Sequence, residues 1–130
     1  MPHPQMFDDD DPVLARVREL AGALPGSDEK VSHGRPAFFT KKVFAYYGGS
    51  LKVDGEWVQH PQSLVVLADP DDRLALLADE RGFVPAYLGP SGWVGIDLDD
   101  RTGWDEVTEL LDASYRATAP AKLIAELDAS

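Results

Sequence analysis

The sequence predicts a single α+β domain over residues 1–130, and three observations lead to this prediction. A chain of 130 residues is long enough to bury one hydrophobic core but too short for two. Segments with apolar residues at helical spacing alternate with segments rich in the aromatic and β-branched residues that favour strands. The chain has no cysteine, so we expect neither a disulfide bond nor a thiolate zinc site to hold the fold together.

The first predicted element is a helix that begins after the acidic run at residues 8–11. Pro12 suits the first helical position because the N–H that proline lacks has no intrahelical acceptor there. Apolar side chains recur at helical spacing over residues 13–24, and Pro25–Gly26 ends the helix. We expect residues 1–11 to form a flexible acidic leader ahead of this helix.

The next segments predict antiparallel hairpins. Aromatic and β-branched residues flank the polar turn at residues 40–42, which is the pattern of a first hairpin. Asp54–Gly55 is typical of a two-residue hairpin turn, so an additional short hairpin remains open there. The predicted boundaries are a loop at 27–36, strands at 37–39 and 43–47, a break at 48–50, the additional hairpin at 51–58 and a buried strand at 63–68.

A second helix is predicted to begin at Asp69 and Pro70, because aspartate caps helix N-termini and proline suits their first turn. A pair of strands at residues 83–88 and 93–98, joined by a Gly- and Pro-rich turn, is predicted after it. The side chains of the second helix that we expect to face inward are Leu74, Ala75, Leu77 and Ala78.

The third predicted helix covers residues 102–117 and is the longest. Thr102 and Asp105 resemble a capping box at its start. We expect Trp104, Leu111 and Tyr115 to pack against the sheet, because they share one face at helical spacing. Ala119–Pro120 interrupts the helix, and a short closing helix is predicted over residues 122–127.

Motifs of catalysis and of metal or phosphate binding are missing from the sequence. Residues 97–108 begin like a calcium loop but have Arg101, Thr102 and Thr108 where an EF-hand needs an oxygen ligand, Gly and Glu. The three histidines share no zinc-ligand spacing, and there is neither a G-x-S-x-G elbow nor a P-loop. We therefore expect no catalytic residue, no metal and no cofactor, and we do not expect an enzyme.

The charge of the chain argues against general binding to polyanions. Its net charge is −11, and affinity for nucleic acid or anionic lipid depends on accumulated positive charge. With no apolar run of membrane-spanning length and no signal peptide pattern at residues 1–6, we expect a cytoplasmic protein without a membrane partner.

One stretch of the chain differs from this acidic average, because residues 30–53 contain five basic residues and no acidic one. The candidate nucleic-acid-binding residues are Lys30, Arg35, Lys41, Lys42 and Lys52. The alternative is that they are solvent-exposed residues of strands and turns.

Four further side chains are candidates for a ligand or partner surface. Aromatic rings with polar groups suit small-ligand clefts and flat partner surfaces. His33, Trp57, Tyr87 and Trp93 are the residues of this type that we select. The alternative for Trp93 is a core anchor between the sheet and the third helix.

The order and spacing of several short motifs resemble the MmcQ/YjbR family over about residues 13–127. The motifs are LPG at 24–26, SHGRPAF at 32–38, KVFA at 42–45, YLGP at 87–90, GWV at 92–94, SYR at 114–116 and APAKL at 119–123. The resemblance implies a two-layer α+β sandwich, in which helices cover one face of an antiparallel sheet in approximately α-β-β-β-α-β-β-α order. Members of this family are commonly labelled DNA-binding, so the resemblance implies weak, salt-sensitive DNA binding through the basic hairpin face. The alternative is a protein- or small-ligand-binding module with no role in nucleic-acid binding.

Overall fold

The computed structural model describes residues 5–130 and confirms an α+β fold in which helices pack on one face of an antiparallel sheet. The six strands of the described chain pair in the order β1-β2-β3-β4-β6-β5. The strands are β1 (Asp28–Ser32), β2 (Arg35–Phe39), β3 (Val43–Val53), β4 (Glu56–Leu67), β5 (Gly82–Phe83) and β6 (Trp93–Asp97). The helices are α1 (Pro12–Gly22), α2 (Pro70–Ala78), α3 (Trp104–Thr118) and α4 (Ala121–Ala129). No helix within residues 5–130 has the length and apolar character that crossing a membrane requires.

Helix α1 begins as predicted, with Pro12 in its first turn, and its cap ties it to the sheet. Asp11 is the N-cap and accepts a hydrogen bond from the Val13 N–H at 2.9 Å and another from the Tyr47 hydroxyl. The predicted flexible leader lies outside the described residues over 1–4. Over residues 5–11 the chain is held to the domain, because the Met6 N–H donates to the Gly34 carbonyl at 2.8 Å.

The hydrophobic core fills the space between the helices and the inner face of the sheet. Leu111 and Tyr115 of α3 are buried there, as predicted, while Trp104 is only partly buried. Ser114 links the two layers because its hydroxyl donates to the Phe44 carbonyl of β3 and accepts from the Leu67 N–H of β4. This side of the sheet also contains Phe38, Ala45, Leu64, Val66, Val94 and Ile96.

The structure corrects two predicted strand boundaries. Residues 28–32 were predicted as part of a loop but form β1, an edge strand joined to β2 by a tight turn at His33–Gly34. The predicted break at residues 48–50 is wrong, because β3 continues through the glycines with a shifted register between Tyr47 and Gly49. Residues 51–58 are consequently the end of one long β3–β4 hairpin, closed at Asp54–Gly55 as predicted, and not an additional hairpin.

The second half of the chain differs from prediction at three places. In α2, Leu77 packs against the core as predicted, and Leu76 packs there as well. Leu74 is 69% exposed, and Ala75 and Ala78, which were also predicted to face inward, are exposed too. The predicted strand at 83–88 is reduced to β5, because the chain turns away from β6 after Phe83. The capping box is absent: Gly103 is the N-cap of α3, and the Thr102 hydroxyl instead accepts from the Asp99 N–H at 2.7 Å.

The outer face of the sheet, defined by Ala37, Val65, Phe83 and Gly95, is turned away from this core. Ala37, Val65 and Phe83 are buried but do not belong to the cluster that packs against the helices. The Phe83 ring lies over Gly95, where a β-carbon would overlap it. The segment that follows β5 therefore runs across this outer face and covers part of it, as the helices cover the inner face.

Candidate ligand pocket

A pocket of about 690 Å³ opens on the outer face of the sheet. Four parts of the described chain surround it: Met6, the β1–β2 turn, the β3–β4 hairpin and the segment at residues 85–88. Val65 and Gly49 line it within the sheet, and the rings of Tyr46, Trp57 and Tyr87 supply its aromatic lining. The Ala86 N–H donates to the Ser50 carbonyl at 2.8 Å, which attaches the segment to β3.

Arg35, the first residue of β2, also lines the pocket and is the most buried charged residue in the described chain. Its relative exposure is 8%, and burial lowers the pKa of its guanidinium. Nη2 donates to the Gln59 side-chain oxygen, whereas Nη1 is covered and has no hydrogen-bond partner within residues 5–130. The position is made possible by Gly48, since any β-carbon there would overlap Nη1. Among the described residues, the buried guanidinium thus has one side-chain acceptor, the neutral oxygen of Gln59.

Two exposed aromatic rings form the rim of the pocket. The ring centroids of Trp57 and Tyr87 are 6.0 Å apart, and the side chains are 47% and 86% exposed respectively. Tyr87 has a φ of +66°, a conformation that bulky L-residues rarely adopt. Lys52 places its ammonium 5.7 Å from the Trp57 ring centroid, so a second positive charge lies beside the rim.

The structure brings together three of the four residues selected for a ligand surface. His33, Trp57 and Tyr87 all line the pocket. Trp93 lies beside it, with its ring edge-on to Tyr46 at a centroid distance of 5.4 Å. Trp93 is not part of the core cluster between the sheet and the helices, so the alternative of a core anchor is wrong.

The five residues of the predicted basic stretch do not form one surface. Lys41 and Lys42 are exposed in the β2–β3 turn, and Lys30 lies over the Phe39 ring at 4.9 Å near the same end of the sheet. Lys52 is ten residues further along β3, a separation of about 33 Å for an extended strand. Arg35 is buried in the pocket.

Sequence reasoning missed Tyr46, Gly48 and Gln59 as residues of the pocket. Tyr46 is one of a run of aromatic strand residues, and nothing local marks it as different from its neighbours. The Gly48–Gly49 pair was interpreted as a strand break, although glycine within a strand also signals a close approach by another group. Gln59 has no distinguishing signal in the sequence.

The comparisons with known proteins identify the family. A family model described as YjbR matches residues 22–117. The chain belongs to the YjbR family. The range matched by the YjbR model includes every pocket-lining residue except Met6.

The fold of this YjbR domain is also found in a solved structure. The crystal structure of Deinococcus radiodurans protein DR2400, which contains a DUF419 domain, is similar at a TM-score of 0.54 and 19% sequence identity. The similarity covers 88% of this chain and 80% of that one. A comparison with curated proteins gives no match.

Proposed function

We propose that this YjbR domain is a binding module for a small molecule, which occupies the pocket on the outer face of the sheet. The observation that carries the proposal is the convergence of three aromatic rings on a pocket of about 690 Å³. Ligand pockets in proteins have volumes of about 300–1,000 Å³ and combine apolar walls with a few polar groups. The proposal concerns binding alone and assigns no reaction to the pocket.

The strained conformation of Tyr87 supports this proposal. A positive φ at a bulky residue costs about 1–3 kcal/mol, and such residues cluster at ligand-binding sites. Here the strain holds a ring that is almost fully exposed, so it gains little from burial within the protein. A ligand bound against Tyr87 and Trp57 would bury both rings.

A fragment screen followed by amide chemical-shift mapping tests the proposal. We expect aromatic fragments to shift the resonances of residues 48–50, Trp57 and Tyr87, and we expect Tyr87→Ala to weaken their binding about tenfold. Leu74→Ala is the matched control, because Leu74 is an exposed apolar residue on α2. Shifts that map elsewhere, or binding that Tyr87→Ala leaves unchanged, would contradict the proposal.

DNA binding is the second candidate function, and the placement of Lys30, Lys41 and Lys42 near one end of the sheet favours it. Three phosphate contacts give a slope of about −3 in a plot of log affinity against log salt concentration. Changing Lys41 and Lys42 together to Glu is expected to abolish binding, whereas Arg101→Glu, in a distant turn, serves as the control. Absence of binding near ~50 mM salt, where electrostatic contacts are strong, would reject this candidate.

A further inference from the structure

We propose that the ligand of the pocket is a small aromatic carboxylate, whose carboxylate pairs with Arg35 while its ring lies against Trp57 and Tyr87. This inference rests on the proposed function and names the chemical class of the ligand. It is carried by the buried guanidinium, by the acceptor that currently faces it and by the aromatic rim.

Within residues 5–130, Arg35 lacks the carboxylate partner that three other arginines have. Within the described residues no carboxylate oxygen forms an ion pair with it, although the chain has a net charge of −11. A buried charge without a partner is destabilising, so a counter-ion from outside would complete the site. The arginines that do form ion pairs are Arg18 with Asp9 and Glu29, Arg81 with Asp79 and Glu106, and Arg116 with Asp112 and Asp128.

Gln59 marks the position where a carboxylate would bind. Its neutral side-chain oxygen accepts from Arg35 Nη2, as one carboxylate oxygen would, and Nη1 has no acceptor in the described part of the chain. Gln59 is an exposed residue of β4, so its amide can turn into solvent when a stronger acceptor arrives. A carboxylate oxygen in the place of the Gln59 oxygen would accept from Nη2 in a charge-assisted hydrogen bond, which is about twice as strong as one to a neutral amide.

The rest of the pocket fits a planar ring carrying a single negative charge. Tyr46, Trp57 and Tyr87 present aromatic surface next to Arg35, and Lys52 adds a positive charge at the rim. The acidic remainder of the protein repels a dianion more strongly than a monoanion. For this reason we favour a carboxylate over a phosphate monoester.

Three probes with the same ring system test the charge of the ligand: 2-naphthoate, neutral 2-naphthamide and 2-naphthyl phosphate. Calorimetric titration is expected to show 2-naphthoate binding at least about tenfold more tightly than 2-naphthamide, because only the anion pairs with the guanidinium. The phosphate is expected to bind more weakly than the naphthoate. Arg35→Gln should remove the preference for the anion, and Arg101→Gln, which removes an exposed positive charge, should preserve it.

Gln59→Glu provides a test that does not depend on removing the buried arginine. The new carboxylate would pair with Arg35 within the protein, so 2-naphthoate binding should fall at least about tenfold while the melting temperature rises. Binding of 2-naphthamide should change little, because the aromatic rim is intact. Thr108→Glu adds the same negative charge at an exposed position of α3, across the sheet from the pocket, and is the matched control that should leave 2-naphthoate binding intact.

The outcomes separate this inference from the proposed function. Equal binding of 2-naphthoate and 2-naphthamide, or naphthoate binding unaffected by Gln59→Glu, would overturn the carboxylate assignment and leave the small-molecule pocket standing. Tighter binding of the naphthyl phosphate would overturn it in the same way. If none of the three probes shifts the Trp57 and Tyr87 resonances, both the assignment and the proposed function are wrong.

Discussion

Replacing Ser114 by Ala tests how α3 is joined to the sheet. Ser114 is fully buried, and its hydroxyl accepts from the Leu67 N–H at 3.0 Å and donates to the Phe44 carbonyl. The β3–β4 ladder pairs Ala45 with Val66, so the Ser114 hydroxyl bridges the backbone groups beyond that pair. The substitution removes one oxygen atom and leaves a buried donor and a buried acceptor without this partner.

The expected loss in the free energy of unfolding is about 2–4 kcal/mol, because each buried polar group left unpaired costs about 1–3 kcal/mol. For a domain of this size, 1 kcal/mol corresponds to about 4 °C in melting temperature, so the variant should melt about 8–15 °C lower. Urea unfolding followed by tryptophan fluorescence, with thermal melting by circular dichroism, measures both quantities. Ser91→Ala, at an exposed position, is the control. A loss below about 0.5 kcal/mol, the range of ordinary surface substitutions, would refute the bridging role of Ser114.

Three further predictions concern stability and are checked by urea unfolding. Leu111→Ala should cost about 2–5 kcal/mol, because Leu111 is 1% exposed and its loss leaves a cavity between α3 and the sheet; a loss under 1 kcal/mol would contradict its core position. Gly95→Ala should cost about 1–3 kcal/mol, since the added methyl group would overlap the Phe83 ring, and a neutral effect would show that the ring moves freely. Tyr47→Phe removes the hydroxyl that donates to Asp11. Burial acts to raise the pKa of the Asp11 carboxyl, but the hydrogen bonds from Tyr47 and Val13 outweigh burial, so the pKa lies below its ordinary value. A carboxyl whose pKa is lowered in the folded state stabilises the protein at pH values above its unfolded pKa of 3.8, and this stabilisation is lost as the pH falls below 3.8. The difference in free energy of unfolding between wild type and Tyr47→Phe should therefore narrow between pH 5 and pH 2. A difference that does not vary with pH would be inconsistent with this role of the hydroxyl.

The elements that the sequence predicts correctly are those with strong local signals. Asp11 and Pro12 begin α1, and Asp54–Gly55 closes the β3–β4 hairpin, because capping and turn geometry depend on neighbouring residues alone. Strand β1 has no such signal, since it is a short edge strand with exposed polar residues and no apolar alternation. Its pairing with β2 depends on the partner strand and is therefore invisible in a local pattern.

The glycines at 48 and 49 show why the pocket itself was harder to predict. A local pattern interprets two adjacent glycines as a break, whereas the folded protein uses them for contacts with distant residues. A β-carbon at Gly48 would overlap Arg35, and one at Gly49 would lie 3.1 Å from the Phe83 ring. Which group approaches a glycine within a strand depends on tertiary contacts that the sequence does not display.

Arg35 shows how the placement of one residue separates the two candidate functions. Its neighbours in the sequence suggested a basic surface, because counting charges along a chain treats every charged side chain as exposed. Buried beside Gln59, its guanidinium is inaccessible to the phosphates of a duplex, and DNA binding would depend on Lys30, Lys41 and Lys42 instead. The two functions therefore predict independent effects: Arg35→Gln should alter the binding of small anions and spare DNA, whereas reversing the charges of Lys41 and Lys42 should do the opposite.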